Sequence, residues 1–183
     1  MSQAEAAEYG NPHLQGNNKP VYDEITATEL DVVGEIPADI SGHFLRIGPN
    51  PYFVPDESRY HIFDGDGMIH GVHIADGKVT YRNRFVASAG LTKERAEGHW
   101  LYPGLNMIGD YLAKGEMPET KNTGNTAMVF HNKQLFAMME GGTPYRISLP
   151  DLDTEGEHDF DGTLNHNFTA HPKVDSRSGE MMT

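Results

Sequence analysis

The chain of 183 residues has no cysteine, so disulfides and thiolate metal sites are excluded. That absence also suits a reducing compartment. No run approaches the roughly 18 apolar residues that a membrane-crossing helix needs. Basic residues are scarce, 14 Lys and Arg against 27 Asp and Glu, for a net charge of −13. Phosphate binding needs a basic face, so this balance argues against a nucleic-acid partner. The opening "MSQAEAAEYGNPHLQGNNKP" lacks the basic start and apolar stretch of a secretory signal, and residence in the cytoplasm is the default expectation. What the chain does have is 20 Gly and 11 Pro, with a mean hydropathy of −0.56. It reads as a turn-rich chain rather than a helical bundle, of a length that suits one domain.

Residues 1–20 are polar and rich in Asn and Gly, and are expected to form a disordered or loosely attached arm. Residues 21–183 change to short β-like runs broken by turn signals. "LDVVGEIP" ends at Pro37, and "GHFLRIG" runs into "GPNP", where Pro49 and Pro51 are expected to bar regular pairing. In "MIHGVHIADGKVTYRNRFV", Asp76-Gly77 supplies the positive φ angles of a tight hairpin turn. "TAMVFHNKQLFAMME" predicts a second hairpin turning near Asn132-Lys133, and "YRISL" a further strand. "DTEGEHDFDG" reads as an acidic surface connection. Two stretches look helical: a single turn from Thr92, and "GLNMIGDYLAKG", with Leu105, Ile108 and Leu112 at helical spacing and a stop at Gly115. Hairpins at short spacing, with short helical insertions, predict an all-β protein of antiparallel sheets, a propeller or a sandwich.

Several constellations could carry chemistry. "FDGDGMIHG" alternates Asp64 and Asp66 with glycines, like a calcium loop. An EF-hand, however, needs glycine at its sixth position and glutamate at its twelfth, and Ile69 and Ala75 stand there. A turn whose Asp side chains bond local amides is the simpler reading. The ten histidines mostly have bland explanations. His70 and His73 would point to opposite faces of a strand, as would His166 and His171 in an extended segment. Spacing alone leaves His171 open between a structural role and a ligand.

Four blocks carry a resemblance. "DISGHFLRIGPNPYF", "YHIFDGDGMIHGVHIADGKVTYRNRFV", "NTAMVFHNKQLFAMMEGGTPYRISLPDL" and "FTAHPKVDSRSGE" together, in that order, resemble the carotenoid cleavage oxygenase family. The likeness covers roughly residues 22–183, apart from a segment near 98–120. It implies a seven-bladed β-propeller with Fe(II) on its axis, held by four histidines from different blades. His171, in the "TAHPKVD" block, matches the first of these ligands. Glu140 matches a carboxylate that hydrogen-bonds an iron-bound imidazole and fixes its orientation. The implied reaction inserts oxygen from O2 across one carbon–carbon double bond of an apolar polyene, giving two carbonyl products.

Relatives that cleave lignin-derived stilbenes carry a lysine immediately before that glutamate, to engage a substrate phenol. Met139 stands there and cannot ionise a phenol, so a carotenoid or apocarotenoid substrate is favoured. Trp100, Leu101, Leu105, Ile108 and Leu112 could form a membrane-facing entrance or simply pack against the sheet. A blade takes about 40–45 residues and seven need about 300, so the chain is expected to supply three to four blades' worth of strands. Its end at "GEMMT" reads as a truncation, with the three other iron ligands beyond Thr183. The chain alone is therefore expected to be inactive. The rival expectation is a metal-free β-rich binding or scaffold protein.

Overall fold

A computed structural model describes residues 9–183 of the protein, mostly antiparallel β-structure with two helices. The first sheet holds β1 (Thr26–Ala27), β2 (Gly42–Asn50), β3 (Asp66–Ala75) and β4 (Lys78–Phe85), in the order β1-β4-β3-β2. The β3–β4 hairpin turns where the sequence placed it. Asp76 and Gly77 both have positive φ, 52° and 69°, the left-handed pair that matches strand twist. β2 continues through Pro49, which pairs with Gly67, and ends at Asn50, so of the two prolines expected to bar pairing only Pro51 stands outside the strand. β2 is an edge strand of this sheet, where a residue without an N–H can be tolerated. "LDVVGEIP" forms no strand at all. Gly34 turns the chain there at φ 97°, and Val33 stands wholly in solvent.

Helix α1 (Ala89–Glu97) begins earlier than expected from Thr92. Ser88, not Thr92, is its cap, accepting the Leu91 amide at 3.0 Å. Helix α2 (Leu105–Ala113) matches the predicted span, and Gly115 follows it at φ 77°.

The second sheet is a meander of β5 (Ala127–His131), β6 (Gln134–Met138), β7 (Tyr145–Ile147) and β8 (Thr154–Glu157), in sequence order. Asn132 and Lys133 make its first turn, with φ of 48° and 62°. β8 corrects the reading of "DTEGEHDFDG" as a plain connection. Its acidic side chains are held against β7, Glu155 by Arg146 and Glu157 by the Tyr145 hydroxyl at 3.1 Å. A two-stranded ribbon, β9 (Lys173–Val174) with β10 (Met181–Met182), follows.

β6 is buried on both faces. Leu135 and Ala137 join Ile69, Val86, Tyr145, Ile147 and Leu152 between the two sheets. Phe136 and Met138 join Phe168 and Ala170 on the other side. An apolar strand of this kind packs like the middle of a layered stack.

The second half of the expected loose arm is anchored instead. Leu14 is buried, and the Asn11 side chain donates to the carbonyls of Glu57 and Tyr60 at 2.7 and 2.9 Å. One apolar side chain and one amide suffice to hold an otherwise polar stretch. The first half, residues 1–8, lies outside the described residues.

Candidate functional site

A cleft of about 470 Å³ opens between the loops that precede β3, the start of α2 and the ends of β5 and β6. Phe53, Phe63, Trp100, Leu105 and Ile108 give it an apolar side, while Lys121, Asn125, Thr126, Glu140 and His171 give it a polar one. The apolar residues singled out in the sequence are thus divided. Trp100, Leu105 and Ile108 line the cleft, whereas Leu112 lies on the exposed side of α2. No helix among the described residues is long and apolar enough to cross a membrane.

Asp64 and Asp66, the pair that mimics a calcium loop, are both spoken for. Asp64 accepts the His61 amide at 2.8 Å, as a local turn requires, and also the Leu105 amide at 2.8 Å. The second bond caps α2 from afar, because Gly104 has no side chain to do so. Asp66 bonds no local amide. It is 1% exposed, accepts the Tyr52 amide at 3.1 Å, and lies 2.7 Å from Nζ of Lys121. The same ammonium donates to Glu94 of α1 at 2.7 Å. The contact to Glu94 is an aligned hydrogen bond. The contact to Asp66 is an ion contact off the bonding direction, which leaves Oδ1 of Asp66 without a hydrogen-bond donor. Burial pushes the Asp66 carboxyl above its ordinary range despite the lysine. Burial works against the Lys121 charge, yet the two carboxylates outweigh it and hold the ammonium above its usual range. This buried triad was not legible in the sequence, because its members come from β3, α1 and the segment before β5.

His171 and Glu140 meet at the cleft. Nε2 of His171 is 3.4 Å from Oε1 of Glu140, and both side chains are more than half exposed, 65% and 58%. Two bonds from nearby residues bring them together. The Gly141 amide donates to the Phe168 carbonyl at 2.9 Å, tying the end of β6 to the segment before β9. Thr169 accepts the His171 amide at 3.1 Å and sits 3.5 Å from Glu140. Thr169 is a positioning residue that the sequence reading passed over. Met139 also faces the cleft, with its sulfur 3.1 Å from the Thr123 amide.

The other histidines have partners of their own. Nδ1 of His70 is 2.8 Å from the Tyr81 hydroxyl, while His73 stacks on His43 with ring centroids 4.2 Å apart. His131 and His166 each bond a carbonyl, at 2.8 Å in both cases. Among the described residues no group of three or more His, Cys, Asp or Glu could hold a metal ion. As a donor, an imidazole beside a carboxylate suits Fe(II). As a set, one imidazole falls short of the several ligands that an iron site needs.

Two open four-stranded sheets, a ribbon and an apolar cleft ending at a His–Glu pair invite comparison with known proteins. The family model described as Retinal pigment epithelial membrane protein matches residues 18–183. The chain belongs to this family. Among its relatives, a carotenoid 9,10(9',10')-cleavage dioxygenase of Pisum sativum is 42% identical over 192 residues, covering 94% of this chain and 35% of that protein. A carotenoid cleavage oxygenase of Mycobacterium tuberculosis is 38% identical over 185 residues, with 99% and 34% covered. Of solved structures, a lignostilbene dioxygenase of Pseudomonas brassicacearum superimposes with a TM-score of 0.81 at 33% identity, covering 94% of this chain and 36% of that one. An apocarotenoid oxygenase of Synechocystis does so with 0.71 at 31%, covering 85% and 34%. The chain thus spans about a third of the length of the relatives it matches.

Proposed function

We propose that this chain is the front part of an Fe(II)-dependent dioxygenase that cleaves one carbon–carbon double bond of a carotenoid or apocarotenoid. In this reading the two sheets are early blades of a seven-bladed propeller. The observation that carries it is the meeting of His171 and Glu140, far apart in sequence, at the polar end of an apolar cleft. His171 would be one of several imidazole ligands. Bound Fe(II) supplies the activation of O2 that the chemistry needs.

What the residues themselves do follows from their chemistry. His171 must be neutral to offer a lone pair. Glu140, 3.4 Å from Nε2, would accept the N–H of that nitrogen and so leave the lone pair of Nδ1 free. The Thr169 hydroxyl links the two residues, accepting the His171 backbone amide and lying 3.5 Å from the Glu140 carboxylate. Phe53, Phe63, Trp100 and Ile108 shed water and orient a long apolar ligand along the cleft.

The test is made in the full-length protein to which this part belongs. His171→Ala should remove stoichiometric iron after gel filtration and abolish aldehyde formation from an apocarotenoid. Full iron content and undiminished turnover in that variant would overturn the assignment. The 183-residue chain alone should retain no stoichiometric iron, because one imidazole cannot supply the affinity of a preplaced set.

A second reading is stilbene cleavage, favoured by the closer superposition on the lignostilbene enzyme. Backbone likeness does not choose a substrate, however, and Met139 offers a phenol neither a charge nor a donor. Assaying both substrate types separates the two readings. Failure of both would favour a metal-free scaffold.

A further inference from the structure

Among the described residues, Lys121 is the one lysine or arginine that lines the cleft. Its side chain is 10% exposed, and the residue lines the cavity. An ammonium has three donors. One donates to Glu94 at 2.7 Å, and Asp66 lies at the same distance as an ion contact. Among the described residues no second hydrogen bond takes the ammonium's remaining donors, and the residue lines the cleft. The rest of the residue is held firmly. A Cβ at Gly90 would collide with Cγ of Lys121, so α1 comes against the lysine stem as closely as only glycine allows. A Cβ at Gly67 would fall 2.6 Å from the Gly124 carbonyl, so β3 fixes the segment that follows the lysine. A cation this immobile does not swing out to solvent when a ligand arrives.

We propose that Lys121 reads the polar end of the substrate: its free N–H donates to a hydroxyl or carbonyl oxygen at one terminus of the polyene, so that the cleft selects oxygen-terminated apocarotenoids over hydrocarbon carotenes. The inference rests on the polyene reading above and assigns its recognition residue. The selectivity is asymmetric by nature. A site built around a donor rejects a ligand that leaves it dry far more strongly than an apolar wall rejects an extra hydroxyl.

The two carboxylates add a second consequence. A free amine beside an aldehyde adds to the carbonyl carbon through its lone pair, and the carbonyl oxygen leaves as water, giving an imine. An ammonium has no lone pair and cannot start. Glu94 and Asp66 therefore keep Lys121 a hydrogen-bond donor and prevent it from becoming a covalent trap for the aldehydes this chemistry handles.

The experiment uses Trp100, the single tryptophan of these 183 residues, which lines the cleft; the fluorescence that Trp100→Phe removes reports occupancy. Binding of an aldehyde-terminated polyene is compared with that of a hydrocarbon polyene of equal length. The wild-type protein should bind the aldehyde more tightly, by about tenfold or more. Lys121→Met combined with Asp66→Asn and Glu94→Gln should erase that preference, while Lys121→Arg keeps part of it. Equal affinities in the wild type overturn the proposal without reference to any variant. Quenching by neither ligand overturns the polyene reading itself, and the proposal with it.

A covalent readout is independent of affinity. In Asp66→Asn/Glu94→Gln the amine is released, and aldehyde plus cyanoborohydride should label Lys121, as peptide mapping would show. An excess of the hydrocarbon polyene should protect it. Label confined to surface lysines would place the aldehyde end elsewhere and refute the assignment.

Discussion

Two acid–base groupings line one cleft and could hardly differ more. The Asp66–Lys121–Glu94 triad is almost sealed from solvent, with each member delivered by a different element and each carboxylate also holding a backbone amide. The Glu140–His171 pair stands open, at 3.4 Å, steadied mainly by Thr169. Burial makes the triad a matter of stability, because removing one charge leaves the others unpaired in a poor solvent. Exposure makes the pair nearly irrelevant to stability and leaves its nitrogen lone pair available to a ligand. A group that must bind something has to remain unfinished, whereas a group that shapes the wall must be complete.

The comparison breaks most visibly at Lys121. Lys121→Met should cost about 3–5 kcal/mol in denaturant unfolding. A loss below about 1 kcal/mol would mean that the triad is not load-carrying and that water reaches it. Gly67→Ala should follow, at about 1–3 kcal/mol, since the new methyl would meet the carbonyls of Gly124 and Thr123 at 2.6 and 2.9 Å. Ser88→Ala should cost about 1 kcal/mol through the lost cap of α1. His171→Ala should change stability by no more than about 0.5 kcal/mol. A large loss there would show that the open pair is structural and would weaken its reading as a ligand.

Protonation offers a gentler probe of the same contrast. Burial, followed by the nearby Arg46, lowers the pKa of His70 below 6.5, and burial, followed by His73, lowers that of His43. A lowered folded-state pKa means that the unfolded chain takes up protons first. The stability is present above 6.5 and is lost as pH falls through the folded values. Unfolding midpoints should therefore decline in mild acid, and His70→Gln should flatten that decline. Lys121, raised by its carboxylates, acts at the other end: its contribution is present below 10.5 and fades only in stronger alkali. A protein whose stability were flat below pH 6.5 would contradict the burial of His70.

Local chemistry was legible wherever it was self-contained. Asp76-Gly77 and Asn132-Lys133 give hairpin turns because the φ angles of two adjacent residues decide the matter. Gly115 follows α2 for the same kind of reason. The misread elements depended on partners. β8 looked like an acidic connection until β7 offered Arg146 and the Tyr145 hydroxyl. Pro49 looked like a break, but it lies in an edge strand of its sheet. "LDVVGEIP" looked like a strand and found no neighbour to pair with. At the cleft, His171 and Glu140 were singled out through their family blocks, while Thr169, Lys121 and the triad were not.

By itself the sequence determined the antiparallel β character, the two hairpin turns and the family. These follow from periodicity, turn residues and ordered motifs that need no distant contact. Only the tertiary structure decided which charges are buried together, that the stretch after Gly10 is tied down by Asn11 and Leu14, and that His171 faces Glu140 across one cleft. Ion pairs and clefts are made by residues from separate elements, and their free energy depends on solvent exclusion, which no single stretch of chain possesses.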